Sequence, residues 1–381
     1  MKIINYITII LASHLFTYEN LACQNINFDI GYSNFRGGIG YLKDKVLDKE
    51  LFYFSNINNE KSISFYSLDG ILIKKVDLSK GLNQLVNINK IIPIDLEKFI
   101  LFGDGEIVIF LDIINDTFKK INLNFSLSEL FKGNKYFFHQ LSAGFDDKNR
   151  LKLYLAPIWI SSAECSTDSI SSLMKNNPIR YFQLISSKER VVPVCYEIDI
   201  LNLKNSKAIF QEYNKKTILD SEVLISIIKP KVFLANNKIF INSIYNSRIL
   251  IYDIKTAKID SIKFDFTKFK KVPIKFSEFD KGKTFQQLFK EEVSLPVSQK
   301  PNVLNILFNK TNNQYYVFTM LDNTNICMYK FNENFHFLNS TEKSITNFKP
   351  PIWLTDSFML SNPTKRNQIN KYVLEKHYYT D

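Results

Sequence analysis

Apolar and polar residues alternate along short runs of this chain, and the runs come in pairs. Ile63-Ser64-Phe65-Tyr66-Ser67-Leu68 turns at Asp69-Gly70 into Ile71-Leu72-Ile73-Lys74-Lys75-Val76. Ile107 to Ile113 runs on to Phe118-Lys119-Lys120-Ile121-Asn122-Leu123, and Ile249 to Ile254 turns at Lys255-Thr256 into Lys258 to Phe264. A strand of period two, a polar turn and a second such strand is the pattern of a half-buried hairpin. Taking Tyr66, Phe110, Ile198 and Tyr252 as equivalent third-strand positions gives spacings of 44, 88 and 54 residues. Hairpins that recur at such a period predict a propeller or a related array.

The fold expected is all-β, a six-bladed β-propeller with four-stranded antiparallel blades and an N-terminal strand closing the last blade. The blades fall at roughly 39–78, 88–123, 136–213, 229–266, 301–340 and 350–379. The last of these lacks an outer strand, while Ile26-Asn27-Phe28-Asp29-Ile30 stands alone near the start; donating 26–33 to it closes the ring and removes an open edge. Residues 26–379 then form one domain. Asp69-Gly70 reads as a tight hairpin turn, and Asp146-Asp147-Lys148-Asn149 as a polar turn rather than a calcium loop. Two segments exceed the repeat. Residues 161–193 carry a short helical pattern of Ile170, Leu173 and Met174, capped by Thr167 or Asp168; in 267–301, Thr284 and Gln287 form a capping box beside Phe285, Leu288 and Phe289.

Composition supports a folded β protein: 33 Phe and 19 Tyr supply a large core, while Gly and Pro number only 11 each. The start adds a compartment. Lys2, the apolar run from Ile3 to Phe16 and the polar stretch from Thr17 read as a signal peptide over 1–22, too short for an ordinary spanning helix. The expected location is therefore the periplasm or outer cell envelope.

The net charge of +11 raises nucleic acid as a partner, but only 6 of the 49 basic residues are Arg and the lysines are dispersed. Nucleic acid is not expected. Of the four cysteines, Cys327 alternates with apolar neighbours as a core residue would. Cys165 and Cys195 bracket the first insertion and could form a disulfide in an oxidising compartment; free buried thiols are the alternative.

The blade hairpins ending in Phe65-Tyr66-Ser67-Leu68, Ile251-Tyr252-Asp253-Ile254 and Met328-Tyr329-Lys330-Phe331, with the Leu21-Ala22-Cys23 start, carry a resemblance. The chain resembles the TolB-like six-bladed propeller families of exported bacterial proteins, many of them lipoproteins of unknown function. Leu-Ala-Cys resembles a lipobox, which implies lipid attachment at Cys23; Asn20 departs from that motif, and plain cleavage near Cys23 is the alternative. The resemblance implies binding of proteins, peptides or carbohydrates, and no catalytic residue.

Loops on a rigid scaffold are where binding concentrates. Trp159, Arg180, Tyr181 and Arg190 lie in or beside the first insertion, and Arg248 and Arg366 fall in equivalent turns of blades four and six. Arg with aromatics suits carboxylates, sugars or peptides. His139, His336 and His377 are scattered, and neither a metal-ligand spacing, a nucleophile elbow nor a phosphate loop occurs. The expected function is a non-enzymatic, monomeric envelope protein binding a peptide, protein or glycan on its loop face. No cofactor or metal is expected, and contact with a membrane only through a lipid anchor. The alternative is a hydrolase or lyase of an extracellular polymer, with a site drawn from several blades.

Overall fold

The structure is a computed structural model. It describes residues 24–28, 39–44, 49–56, 60–85, 87–104, 106–131, 135–161, 172, 175–179, 195–209, 231–242, 248–263, 282–288, 302–321, 325–344, 349–354, 358–362 and 372–378. The chain is an all-β propeller with four-stranded antiparallel blades. Five blades are continuous stretches of chain, at 39–77, 88–122, 135–208, 231–263 and 302–344, each with its strands paired in sequence order. A further four-stranded sheet joins the two chain ends: Gln24–Phe28 pairs antiparallel with Tyr372–Tyr378, which continues to Phe358–Asn362 and Lys349–Leu354. The first strands of successive blades lie side by side around the axis, from blade two through to Lys349–Leu354.

One turn device recurs at the end of the third strand in each of the five continuous blades. Its last residue is short and polar, and its side chain accepts the backbone N–H groups of the turn to the fourth strand. Ser67 Oγ accepts from Asp69 and Ile71, Asp112 from Asn115, Asp199 from Leu201 and Asn202, Asp253 from Lys255 and Thr256, and Asn332 from Asn334 and His336. Side chains that mimic a backbone turn in this way are the reason Ser, Asn and Asp mark turns. The residue before each is buried: Tyr66, Leu111, Ile198, Tyr252 and Phe331. Leu111, not Phe110, is thus the blade-two equivalent of Tyr66, because Asp112 sets the register; Phe110 points to the other face and is only half-buried.

Opposite these turn residues, blades three and four place a lysine. Lys152 is in register with Asp199 and donates to it at 2.5 Å, both side chains 2% exposed; Lys238 pairs likewise with Asp253. Asp146 in the adjoining turn accepts from Lys148 and Arg150 backbone N–H groups and from the Arg150 guanidinium, the polar turn expected there. The carboxyls of Asp146 and Asp199 stay below the usual range. Burial opposes ionisation, and the hydrogen bonds from Arg150 and Lys152 outweigh it.

The core fills the spaces between blades. Ile100, Phe102, Phe131, Phe138 and Tyr196 join blades two and three, with the Phe131 and Tyr196 rings edge to face at 5.0 Å. Polar pins cross the same interfaces. Lys74 of blade one meets Glu97 of blade two, and Lys119 of blade two donates to the Ile200 carbonyl of blade three. Tyr154 and Glu197 of blade three meet Tyr252 of blade four, both hydroxyls donating to Glu197 Oε2, at 3.3 and 3.1 Å. Burial first, and then the Glu197 charge, pushes both phenols well above their ordinary range.

A candidate functional site at the channel mouth

Strand order sorts the connections by face. Turns from first to second strand and from third to fourth are short, as at 68–71, 94–97, 113–116 and 254–258. The long connections, 162–195, 209–230 and 264–301, join second to third strands or one blade to the next, so in an antiparallel blade they all emerge at the end where the first strand begins. Both insertions noted in the sequence open onto this face. Of their described parts, the short helix Phe285–Leu288 carries the expected capping box: Thr284 N–H donates to Gln287 Oε1 at 2.9 Å, and Gln287 N–H donates to Thr284 Oγ1 at 3.3 Å. Its Leu288 is fully buried.

At this same end the innermost strands lose their regularity. Pairing slips at Asn89, between Ile88 and Lys90; at His139, between Phe138 and Gln140; at Leu304, between Val303 and Asn305; and at Pro350-Pro351, between Lys349 and Ile352. Proline has no N–H for the ladder, which accounts for the last of these. Bulges re-aim side chains and concentrate beside functional sites. Here four of them ring one mouth.

Two lysines lie along these strands with no carboxylate partner among the described residues. Lys90 follows the first bulge and its ammonium donates to the Leu141 carbonyl of blade three at 2.7 Å; Lys231, opening the innermost strand of blade four, donates to the Val303 carbonyl of blade five at 2.8 Å. Burial lowers both ammonium groups to about 8. The two are linked in space through Leu141 and its neighbour Ser142, whose hydroxyl donates to the Val232 carbonyl at 3.4 Å.

Glu106 sits at the same end in the blade-two turn. Its backbone is left-handed, with φ 58°, and its carboxylate accepts the Phe138 N–H of blade three at 3.1 Å. Burial, opposed by that hydrogen bond and reinforced by Asp104, raises it to about 7. Asp104 is a turn residue with its carboxylate held by the Asn87 and Asn89 amides. Neither Lys90, Lys231 nor Glu106 stood out in the sequence, since a Lys near a strand start and a Glu in a Gly-rich turn look solvent-facing. Only the bulge at Pro350-Pro351 had a legible signal.

The residues singled out by sequence divide in two. Trp159 lies two residues from the end of the second strand of blade three, in register with Phe137, and Arg248 opens the third strand of blade four, in register with Lys263. Both backbone positions are at the loop-rich end of adjacent blades. Arg180, Tyr181, Arg190, Arg366, Cys165 and Cys23 lie outside the described residues, as does the cap proposed at Thr167 or Asp168. Cys195, raised above as one half of a bridge to Cys165, is a free, fully buried thiol whose Sγ approaches the Tyr196 carbonyl at 3.7 Å; burial pushes it far above the usual thiol range. Cys327 is a buried core thiol. Among the described residues no group of His, Cys, Asp and Glu could hold a metal ion, and no helix is long and apolar enough to cross a membrane.

No family profile matches the chain, and no curated protein matches it in sequence. Solved structures do match in fold. A member of the DUF4221 family from Bacteroides vulgatus aligns over 93% of this chain and 96% of its own, with a TM-score of 0.59 and 11% identity. The N-terminal part of BBS1, solved in complex with ARL6, aligns over 93% of this chain and 97% of its own at a TM-score of 0.42 and 6% identity. BamB from Moraxella catarrhalis aligns over 86% and 70%, at 0.35 and 9%. At these identities the likeness is one of fold, and the chain is an all-β propeller with four-stranded antiparallel blades.

Proposed function

We propose that this protein is an exported envelope propeller, six blades closed by its N-terminal strand, that binds an acidic peptide, protein or glycan at its loop-rich face without transforming it. The observation that carries the reading is the channel mouth. The long connections join strand ends on this side, four innermost strands bulge around it, and it bears two lysines that lack a carboxylate partner among the described residues. Half-buried cations without a countercharge are costly, so a mouth that keeps them favours a partner bringing negative charge. The pairing of Gln24–Phe28 with the last strand supports six blades, since it leaves that sheet four-stranded like the rest. Export rests on the apolar run from Ile3 to Phe16, and anchoring on Cys23.

The test is a titration of the purified chain with an oligogalacturonate and with a poly-glutamate peptide, at low and physiological salt. Micromolar binding that weakens with salt and falls when Arg180, Arg190, Arg248 and Arg366 are replaced together by Ala supports the reading; no binding to either probe removes it. Loss of palmitate labelling in cells on Cys23→Ser tests the anchor.

The alternative, a polymer hydrolase or lyase, draws on one observation: Glu106 is a buried carboxyl raised to about 7, where a general acid would work. Release of shortened oligosaccharides by the parent chain but not by Glu106→Gln would favour it.

A further inference from the structure

We infer that the central channel holds a site for a single anionic group, a carboxylate or phosphate, gripped by Lys90 and Lys231. The inference deepens the loop-face reading and rests on it: the face captures an acidic ligand, and the channel takes one of its charged groups.

A chain of hydrogen bonds connects the two cations across the innermost strands. Innermost strands pair on one side only, so their other edge bounds the axis. Lys90 crosses from blade two to the Leu141 carbonyl, Ser142 beside it reaches the Val232 carbonyl, and Val232 adjoins Lys231, which crosses to Val303 in blade five. These hydrogen bonds link four neighbouring innermost strands, from blade two to blade five, and both ammonium groups belong to the chain of contacts. Each spends one N–H on a carbonyl and keeps two donors for an incoming group. A carbonyl carries no charge, so the hydrogen bonds it accepts orient each ammonium without neutralising it.

A second observation lies one strand further out. Thr319 stands in register with Val303, the residue whose carbonyl takes Lys231, and its hydroxyl is buried without a hydrogen-bond partner. Buried polar groups are nearly always satisfied, and an exception calls for a missing ligand or water. The carboxylates nearby do not compete for the lysines. Glu106 is committed to the Phe138 N–H, and Asp104 to Asn87 and Asn89.

The site can be probed with citrate, a small tricarboxylate able to enter the channel, in the full chain. Amine acetylation at pH 7.5, mapped by mass spectrometry, reads each lysine directly. Because both ammonium groups titrate near 8, they are expected to acetylate about tenfold faster than surface lysines such as Lys255, and citrate is expected to slow them selectively. Lys90→Gln with Lys231→Gln should weaken citrate binding at least tenfold, while Lys255→Gln leaves it unchanged. If citrate protects neither lysine, or binds the double variant as tightly as the parent, the inference fails. The two readings separate on the larger probe. An oligogalacturonate that binds the parent and the double variant equally removes the channel site and leaves the loop face standing; one that binds neither protein removes both.

Discussion

Glu106 of blade two accepts the backbone N–H of Phe138 in blade three at 3.1 Å, closing the seam between two blades with one buried carboxyl. Phe138 lies between two slips in its strand pairing, where the ladder is interrupted. The pKa of Glu106 is raised, so the folded protein holds a proton there that the unfolded chain has released. That favourable proton binding is lost as pH climbs from about 4.5 towards 7. Glu106→Gln keeps an acceptor for Phe138 and removes the titration. Urea denaturation should find the variant equal to the parent near pH 4.5 and more stable than it at pH 8; a gap independent of pH contradicts the assignment.

The buried pair Lys152–Asp199 should weigh more than its surface-nearer counterpart Lys238–Asp253. Lys152→Met strips the cation from a buried carboxylate and should cost about 3–5 kcal/mol. Lys238→Met, at a site about a fifth exposed, should cost well under half of that by the same denaturation measurement.

Glu197 takes two phenol donors, one from each side of the seam between blades three and four. Tyr252→Phe should cost about 1–2 kcal/mol. A double-mutant cycle with Tyr154→Phe should show non-additivity, because both hydroxyls share one oxygen. Strict additivity would mean that the two bonds act separately.

Ala257 in the blade-four turn is left-handed, with φ 56°, a conformation that strains any residue bearing a Cβ. Ala257→Gly should raise stability by about 0.5 kcal/mol, and Ala257→Val should lower it. At Gly40 the opposite holds: a Cβ would meet the Tyr53 ring at 2.1 Å, so Gly40→Ala should destabilise blade one and displace that ring.

Much of the architecture was legible because strand alternation and turn chemistry are local. Asp69-Gly70 reads as a turn and forms one, with Gly70 at φ 82°, and Thr284 with Gln287 forms its box. The strand pattern alone puts Phe110 level with Tyr66, one residue out, whereas the structure aligns blades by the polar residue that caps each turn, from Ser67 to Asn332. The mouth was less legible. Lys90, Lys231 and Glu106 act through partners in the next blade, and contacts between blades leave no periodic trace in sequence. Trp159 and Arg248 stand out in the sequence only because their residue types are scarce in this chain, with two Trp and six Arg in all.

Amide hydrogen exchange of the full chain, read by mass spectrometry with and without saturating oligogalacturonate or acidic peptide, tests the central claim most directly. Binding at the loop-rich face predicts slowed exchange in 162–195, in 264–301 and at the first residues of the innermost strands, with the turns at 68–71, 113–116 and 254–258 unchanged. Protection confined to those opposite turns or to the outer strands, or no protection with either probe, contradicts it.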